Sequence, residues 1–368
     1  MRIMITGGGT AGHTSPAVAV IEELQSRDPR LALQWVGRRG AVEERVAELH
    51  SISFRALPVS GWPRRGIFKR IWVAIQLALA LVLAFVHLRR FRPQAILAVG
   101  GYVSVPLTIV AQRLGIPTIL HEQNRSMGLA NRLLAKKASR ILLSFEDTTG
   151  AYPKENAQVV GNPVRKDFHN PPSKLEARER LDLDTKTPVI VITGGSQGAR
   201  TINNAMAHIL ETIQPRQAQF IWLAGRAGAE AARAIADKSD APVRVHAFVD
   251  NMADVCAASD LLISRAGASS TAEIAVLGRP SILIPYPAAT DNHQEHNARA
   301  MESAGAAVVL LDAECTGDKI LEILEGLLAD PARLQVMADA AKTTAHPGAA
   351  DAIAEEIIKL HETHEQAQ

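Results

Sequence analysis

The sequence predicts an α/β protein built from two doubly wound, Rossmann-like domains that face each other across a cleft. Its 368 residues suit two domains of roughly 150 residues each. A short apolar strand, a glycine-rich turn and a helical pattern follow one another twice along the chain. The composition, 47% hydrophobic and 21% charged, excludes long-range disorder and fibrous repeats. Doubly wound sheets bind ligands at the carboxyl ends of their strands, so two ligand-binding faces are expected.

The first unit of this pattern opens the chain. Residues 1–6 form an apolar run, residues 7–13 read GGGTAGH, and apolar residues follow at helical spacing from 17 to 24. Ser15 before Pro16 predicts the helix start, because a hydroxyl caps free N–H groups and proline fits the first helical position.

The second unit repeats the order from residue 188. An apolar run over residues 188–193 leads into GGSQGAR at residues 194–200 and a helical pattern through Ile209. Further strands are predicted at Ala32–Val36, Ala95–Val99, Thr118–Leu120, Ile141–Ser144, Phe220–Leu223, Leu261–Ser264, Ser281–Ile284 and Ala307–Leu310.

Turn-forming residues place the domain boundary. Asparagine, proline and charged residues after position 162 predict a first domain over 1–163, a linker over 164–187 and a second domain over 188–345. Helices are predicted over 331–344 and 349–360, with a break at His346, Pro347 and Gly348. The last helix, within 346–368, is expected to pack back on the N-terminal domain and to end in a frayed polar tail from His361.

Charge and cysteine content exclude several classes of protein. Forty Lys and Arg against 38 Asp and Glu give a net charge of +2, too balanced for a whole-chain nucleic-acid binder. Cys256 and Cys315 lack the spacing of a disulfide framework or zinc site, which fits a reducing compartment. Residues 1–7 carry no export signal, so a cytoplasmic location is expected.

The first glycine loop matches two nucleotide-binding patterns incompletely. Residues 7–12 satisfy GxGxxG, and residues 7–14 resemble a P-loop in which His13 replaces the lysine. The predicted second strand runs into Gly37-Arg38-Arg39-Gly40 and is not followed by an acidic residue that could bind a ribose, which disfavours NAD. The two arginines keep NADP as a minor alternative, because arginine can bind its 2′-phosphate. No cofactor is therefore expected. Backbone N–H groups and a helix dipole remain suited to an anion, although doubly wound sheets need tight turns in any case.

Several motifs in order resemble the MurG glycosyltransferases, over nearly the whole chain. They are GGTAGH at 8–13, GGYVS at 100–104, HEQN at 121–124, GNPVR at 161–165, GGSQGAR at 194–200, GASSTAE at 267–273 and DNHQ at 291–294. Ala11 stands where this family usually has a third loop glycine, so the loop must tolerate a methyl group there.

This resemblance implies a fold of the GT-B type and an inverting transfer. N-acetylglucosamine would move from its UDP donor to the 4-hydroxyl of the muramyl sugar on undecaprenyl diphosphate, in peptidoglycan synthesis. The partners implied are UDP-N-acetylglucosamine and the lipid-linked muramyl-pentapeptide acceptor.

The transfer needs a base and a site for the leaving diphosphate. His13 is a candidate base, because its ordinary pKa lies near neutrality, and local hydrogen bonding at a helix start is its alternative role. Glu122 is the rival base. Arg165, Ser196 and the N–H groups around Ser269 and Ser270 are candidates for stabilising the leaving UDP.

Other contacts are implied by the family. Glu273 would hold the ribose hydroxyls, although Ser270 and Glu273 also have the spacing of a capping box. The backbone near Val249 would read the uracil, and Asn124 and Gln294 would reach the donor sugar. The complete predicted set of substrate-binding residues is Thr10, Ala11, Gly12, Tyr102, Asn124, Arg165, Ser196, Val249, Gly267, Ala268, Ser269, Ser270, Thr271, Ala272, Glu273 and Gln294.

No metal is expected in the reaction. Asp182-Leu183-Asp184 has the Asp-x-Asp spelling of metal-dependent transferases, but it lies in the charged connector before a strand. Activity is therefore expected to persist in excess chelator.

One apolar segment carries basic residues on both sides. Ile71 to Val86 is a 16-residue run with Gln76 as its polar member, preceded by Arg64, Arg65, Lys69 and Arg70. As a helix it would reach about 24 Å, short of a ~30 Å hydrocarbon core, so spanning is not expected. The alternatives are a fully buried core helix and, favoured by the charges, a helix lying on anionic lipids at the cytoplasmic face of the plasma membrane.

Two other functional classes fit the same motifs. The first is a nucleotide-sugar epimerase or another glycolipid transferase, which would share the scaffold. The second is a non-catalytic, membrane-associated nucleotide-binding protein, in which Ala11 would indicate that the first glycine loop has lost its function.

Overall fold

The chain folds into two compact units in the computed structural model, which describes residues 1–9, 11–61, 65–195, 198–214 and 217–366, without the side chains of residues 11 and 363–366. The N-terminal unit comprises Met1–Arg165 together with His346–Gln368. The C-terminal unit comprises Lys166–Ala345.

The N-terminal unit is built on a parallel sheet with strand order β3-β2-β1-β4-β5-β6-β7 among its described residues. Its strands are β1 (Arg2–Thr6), β2 (Ala32–Gly37), β3 (Ser53–Ala56), β4 (Ala95–Ala98), β5 (Thr118–Glu122), β6 (Arg140–Leu143) and β7 (Ala157–Val159). The strand order reverses between β1 and β4, where Thr6 is paired with Ala98. The loops that follow these two strands therefore leave the sheet side by side at its topological switch point.

Helices cover both faces of this sheet. They are α1 (Ala11–Arg27), α2 (Val42–Leu49), α3 (Ile67–Phe91), α4 (Ser104–Arg113), α5 (Leu129–Ala135) and, at the end of the chain, α15 (Ala349–Gln366). The core between α1, α15 and the sheet contains Ile5, Ile21, Trp35 and Ile353. Burial of such apolar side chains is the main source of stability for the unit.

Two helix boundaries differ from the sequence-based predictions. Helix α1 begins at Ala11, so Pro16 lies inside it and Ser15 is not its cap. A helical backbone at residue 11 also accommodates any L-residue, so an alanine there needs no unusual loop conformation. Helix α15 continues to Gln366, so the prediction of a frayed tail from His361 is wrong for the described part of that segment.

Helix α3 is longer and more exposed than its apolar run predicts. It has 25 residues, which corresponds to about 37 Å, so the length argument against spanning a bilayer is wrong. Its small face, formed by Ala80, Ala84 and Leu88, is buried in the core beside α4. Most of its other apolar side chains are exposed, so the alternative of a fully buried core helix is wrong.

The C-terminal unit repeats the design with a parallel sheet of order β10-β9-β8-β11-β12-β13 in its described part. The strands are β8 (Val189–Thr193), β9 (Gln219–Leu223), β10 (Val243–His246), β11 (Leu261–Ser264), β12 (Ser281–Leu283) and β13 (Ala307–Val309). The switch point lies between β8 and β11, where Thr193 is paired with Ser264. Two doubly wound α/β domains, as predicted, are confirmed.

The helices of this unit surround a second core. They are α6 (Lys166–His169), α7 (Lys174–Arg180), α8 (Arg200–Thr212), α9 (Ala229–Ala236), α10 (Met252–Ala258), α11 (Ala268–Leu277), α12 (His293–Ser303), α13 (Gly317–Leu328) and α14 (Pro331–Thr343). Ile192, Met206, Trp222 and Leu324 lie in its centre. Both units therefore hold their ligand-facing loops on rigid strand ends.

Candidate functional site

Glycines allow the two loops at the first switch point to touch. Gly7 and Gly8 follow β1, and Gly100 and Gly101 follow β4 with positive φ angles of 90° and 78°. A Cβ atom on Gly7 would lie 2.7 Å from the carbonyl oxygen of Gly100, and one on Gly101 would lie 2.7 Å from that of Gly8. These contacts explain why glycine is needed at this point, beyond the tightness of a turn.

A buried carboxylate supports the first glycine loop from below. The Oε2 atom of Glu43 accepts the N–H of Gly9 at 3.0 Å, and Oε1 accepts the N–H of Arg38 at 2.9 Å. Glu43 is fully buried at the start of α2. The prediction that this loop's N–H groups hold a phosphate is therefore wrong for Gly9, whose N–H already bonds an anion of the chain itself.

His13 projects from the first turn of α1 beside the second glycine loop. Its ring lies against Gly100, where a Cβ atom would stand 3.3 Å from Nδ1 and Cε1. Nδ1 bonds the side-chain oxygen of Gln123 at 3.1 Å. Across the described residues, Nε2 of this partly exposed ring makes no hydrogen bond.

A buried polar chain continues from His13 into the sheet. Gln123 Nε2 donates to the carbonyl of Val99 at 2.9 Å and lies 3.0 Å from Nδ1 of His121. The other ring nitrogen of His121 is 3.3 Å from the carbonyl oxygen of Gly161. Burial lowers the pKa of His121 to about 4, with a smaller lowering from His13 and an opposing bond to Gly161. His121 is therefore neutral at pH 7.

Glu122 is surrounded by hydrogen-bond donors. Its Oε1 accepts the N–H and the side-chain amide of Asn124, and its Oε2 accepts the N–H of Gly128 and the side-chain amide of Asn131 at 2.8 Å. Four donors bond the two oxygens of this side chain, which is 2% exposed, and hold the loop after β5. This arrangement is that of a structural carboxylate, whereas His13 offers an open nitrogen.

Other predicted residues of the N-terminal unit lie at the same edge of the sheet or at the end of the unit. Tyr102 is 36% exposed, and its hydroxyl accepts a bond from Arg38 Nη1 at 3.2 Å. Gly12 is exposed in the first turn of α1. Arg165 is partly buried and is the last residue of the unit, directly before α6. Thr10 lies outside the described residues.

The switch point of the C-terminal unit also carries two loops. Residues 194–199 connect β8 to α8, with positive φ at Gly195 and Gly198. A Cβ atom on Gly198 would lie 2.5 Å from the carbonyl oxygen of Ala224, so this loop also packs closely on its neighbour. Ser196 lies outside the described residues.

The second loop leads into α11 without a side-chain cap. Gly267 is the N-cap residue and the helix begins at Ala268, so the alternative of a capping box at Ser270 is wrong. Glu273 instead stands in the second turn, followed by the buried Ile274, and is partly exposed. The first-turn N–H groups of an α-helix have no acceptor inside it, and its dipole is positive there. Ser269 and Ser270 belong to this turn.

The remaining residues of the predicted donor site lie nearby on the chain or in the sheet. Thr271 turns its hydroxyl back to the carbonyls of Gly267 and Ala268, and Ala272 is partly exposed. Gln294 accepts the N–H of Tyr286 at 3.0 Å, which ties α12 to the end of β12. Val249 is partly buried in the segment between β10 and α10.

Sequence reasoning missed two residues that organise these loops. Arg265 follows β11 and pairs with Asp312 at 2.5 Å while donating to the carbonyls of Ile284 and Pro285. Asn297 donates to the carbonyl of Ala266 at 3.1 Å. Arg265 directly follows β11, whereas Asn297 lies on α12, and both donate to carbonyls that follow strands. Buried polar side chains need such partners, but the sequence does not show which carbonyls they reach.

The Asp-x-Asp segment makes protein contacts. Asp184 accepts the N–H of Lys186, and Asp182 pairs with Arg244. Within the described ranges, no group of three or more His, Cys, Asp or Glu residues has the arrangement of a metal site.

Fold and site together define a glycosyltransferase of the GT-B type. Residues 3–143 match the model of the glycosyltransferase family 28 N-terminal domain, and residues 189–353 match that of its C-terminal domain. The UDP-N-acetylglucosamine–N-acetylmuramyl-(pentapeptide) pyrophosphoryl-undecaprenol N-acetylglucosamine transferase of Moorella thermoacetica is 37% identical, covering 99% of this chain and all of the relative. The chain belongs to the MurG family of glycosyltransferase family 28.

Solved structures agree with this assignment. MurG of Acinetobacter baumannii superposes with a TM-score of 0.74 at 26% identity, covering 97% of this chain and 99% of that one. The UDP-GlcNAc 2-epimerase of Neisseria meningitidis has a TM-score of 0.68 at 14% identity, covering 98% and 100% of the two chains. The epimerase likeness shows the fold alone, whereas the likeness to the transferases includes sequence. The predicted family and enzyme class are confirmed.

Proposed function

We propose that this chain transfers N-acetylglucosamine from UDP-N-acetylglucosamine to the 4-hydroxyl of the lipid-linked muramyl-pentapeptide acceptor, with inversion at the anomeric carbon. The observation that carries the proposal is the placement of the family-like motifs at two switch points. His13 lies beside one pair of loops, and the start of α11 with Glu273 belongs to the other. The reaction would serve peptidoglycan synthesis, and through it cell-wall growth, cell shape and division.

His13 is the proposed general base. Its Nε2 takes the proton of the acceptor 4-hydroxyl while the hydroxyl oxygen forms the bond to the anomeric carbon. The bond from that carbon to the β-phosphate oxygen breaks, and its electron pair leaves with UDP. Support comes from the geometry: Nδ1 is held by Gln123 and Nε2 is open, whereas the oxygens of Glu122 are bonded by four donors.

The C-terminal unit is the proposed donor site. The N–H groups in the first turn of α11 face the charge that develops on the diphosphate, and Glu273 one turn later binds the ribose hydroxyls. The backbone near Val249 reads the uracil, and Gln294 reaches the sugar. Because α11 has no side-chain cap, its first turn is suited to an anionic ligand.

Helix α3 is the proposed membrane contact. Phe68, Trp72, Ile75, Leu79, Val82 and Val86 recur every three or four residues and are each 49% exposed or more. This stripe lies on the side of the helix opposite the buried face of Ala80, Ala84 and Leu88. The helix therefore packs on the unit through one face and exposes the apolar stripe along its length.

That geometry supports a helix lying in the membrane surface. A spanning helix would have to leave the core that buries Ala80, Ala84 and Leu88. Arg65, Lys69 and Arg70 at its start, and Arg89 and Arg90 at its end, suit anionic lipid headgroups. Arg64, which belongs to the same predicted group, lies outside the described residues. We therefore place the protein at the cytoplasmic face of the plasma (inner) membrane as a peripheral protein.

The experiment is a radiolabelled transfer assay with UDP-N-acetylglucosamine and the lipid-linked acceptor. Wild type is expected to form the disaccharide product, and His13→Ala to lower kcat by roughly 10²- to 10⁴-fold, as expected for loss of a general base. Glu273→Ala is expected to raise KM for the donor. His208→Ala and Glu322→Ala, on exposed helix faces of the C-terminal unit, are the matched controls. Full activity in His13→Ala would refute the assignment of the base.

A further inference from the structure

Gln123 connects the proposed base to the buried interior of the N-terminal unit. It is 2% exposed and directly follows Glu122, the last residue of β5. Its side chain reaches His13 on one side and Val99 and His121 on the other. The base assignment uses only the fact that Gln123 bonds the His13 ring, and it gives Gln123 no role in choosing the tautomer of that ring.

The orientation of the Gln123 amide is fixed by a backbone carbonyl. Val99 O is an acceptor and cannot donate, so the NH₂ group of Gln123 must be the end that faces it at 2.9 Å. The reversed amide would place two oxygens against each other in a buried site, which is unfavourable. The amide oxygen therefore faces His13.

His121 confirms this direction from the other end of the chain of bonds. Its Nε2 faces the carbonyl oxygen of Gly161 and so carries a proton, which leaves Nδ1 of the neutral ring as an acceptor. That Nδ1 atom lies 3.0 Å from Gln123 Nε2, the donor end of the amide. The two backbone carbonyls thus set the direction of the bonds that Gln123 makes to His13 and His121, and the Ser144 hydroxyl, 3.4 Å from Nε2 of His121, is then an acceptor.

From these directions we infer that Gln123 is a positioning residue that holds His13 as the tautomer protonated on Nδ1. An amide oxygen 3.1 Å from Nδ1 requires a proton on that nitrogen. In the neutral ring the lone pair then resides on Nε2, which is open. Gln123 would in this way keep the base in the form that can accept a proton. The consequence for catalysis rests on the proposed function, but the tautomer itself does not.

The direct test is ¹⁵N NMR of the full-length protein labelled at histidine, at a pH where His13 is neutral. Protonated and unprotonated ring nitrogens have separate shifts, and the His13 signals are assigned by their loss in His13→Asn. Wild type is expected to show a protonated Nδ1 and an unprotonated Nε2. A proton on Nε2 in wild type would overturn the inference.

Two variants make the test specific. Gln123→Leu removes the acceptor and is expected to move the proton of His13 at least partly to Nε2, with kcat lowered about 10²-fold and KM for the donor changed less than about two-fold. Gln123→Glu keeps an oxygen opposite Nδ1 and should keep the wild-type tautomer, at the cost of stability because its second oxygen faces the carbonyl of Val99. Gln112→Leu, which removes another partly buried amide that bonds a backbone carbonyl, is the control and should leave the His13 signals unchanged.

The outcomes separate this inference from the proposed function. Unchanged His13 shifts in Gln123→Leu would overturn the positioning role even if the protein transfers the sugar. A protonated Nδ1 in a protein that shows no transfer would leave the positioning role intact and refute the function. If Gln123→Leu does not fold, the wild-type spectrum still decides, because a proton on Nε2 of His13 in wild type would overturn the inference.

Discussion

Glu43 lies beneath the first glycine loop and bonds the N–H of Gly9 at 3.0 Å through its buried carboxylate. A Cβ atom on Gly8 would lie 2.4 Å from the same carboxylate, so the loop rests directly on it. The loop that resembles a P-loop in sequence is thus shaped around an anion of its own chain. Its role here is to place the start of α1, and with it His13.

Replacing Glu43 with glutamine should destabilise the N-terminal unit. The amide has one oxygen, so either Gly9 or Arg38 would lose its acceptor and face an NH₂ group in a buried site. We expect Glu43→Gln to lower the free energy of unfolding by about 1–3 kcal/mol. Urea unfolding measures this change, with Glu48→Gln on the exposed side of the same helix as the control. Equal stability of the two variants would show that the bonds contribute nothing.

Gly100→Ala should affect activity more than stability. The new methyl group would stand 3.3 Å from Nδ1 and Cε1 of His13 and would displace the ring by a few tenths of an ångström. We expect kcat to fall by roughly ten-fold. Gly115 has a similar positive φ, 72° against 90° for Gly100, but a Cβ atom there would meet no other atom within 4 Å. Gly115→Ala therefore controls for the backbone strain of an alanine at positive φ, which is about 1–2 kcal/mol. A similar loss of kcat in both variants would count against the steric explanation.

Acid should destabilise the N-terminal unit through His121. Its pKa is about 4 in the folded chain, below the ordinary 6.5, so the unfolded chain binds the extra proton first. The stability that the neutral ring contributes is complete above pH 6.5 and is lost as the pH falls toward 4. Between pH 7 and pH 5 the loss from this group is about 2 kcal/mol.

Urea unfolding at the two pH values tests this directly. His121→Gln lacks the titrating group, so its stability should depend less on pH by that amount, even if it is less stable at pH 7. Parallel pH dependence in wild type and variant would contradict the assignment.

Membrane binding should depend on the outward stripe of α3. Val82→Glu places a charge in the middle of that stripe, at a side chain that is 61% exposed, and should weaken binding to anionic vesicles by roughly ten-fold. Val336→Glu, at a 67% exposed valine of α14, is the matched control. Vesicle flotation measures both.

The charges around α3 give a second arm of the same experiment. Glutamine at Arg65, Lys69 and Arg70 removes three cations worth roughly 1 kcal/mol each near the surface, so binding should fall by about 10²-fold and lose most of its salt dependence. Unaltered flotation of both the charge variant and Val82→Glu would exclude α3 as the contact.

Much of the fold could be predicted because its central strands are continuous apolar runs that end in glycine. β1, β4, β8 and β11, for example, are buried along most or all of their length, as parallel strands covered on both faces should be. The prediction missed β3, β7 and β10. These strands are three or four residues long, none of their residues is buried, and each strand lies at an edge of its sheet, so no apolar run marks them.

The motif residues could be predicted, but the bonds between them could not. His13 and Gln123 are 110 positions apart, and Glu43 and Gly9 are 34 apart, so no local spacing connects them. The alternative of a capping box at Ser270 failed for a different reason. Ser270 and Glu273 have the spacing of a cap, whereas the backbone turns into the helix three residues earlier, at Gly267.

We propose that the C-terminal unit binds the donor nucleotide and that the N-terminal unit supplies the base. A crystal structure of the protein with bound UDP separates the two sites. We expect the diphosphate at the first turn of α11, with the ribose hydroxyls on Glu273 and the uracil at the backbone of Val249. UDP bound instead at the loops that follow β1 and β4, beside His13, would contradict it.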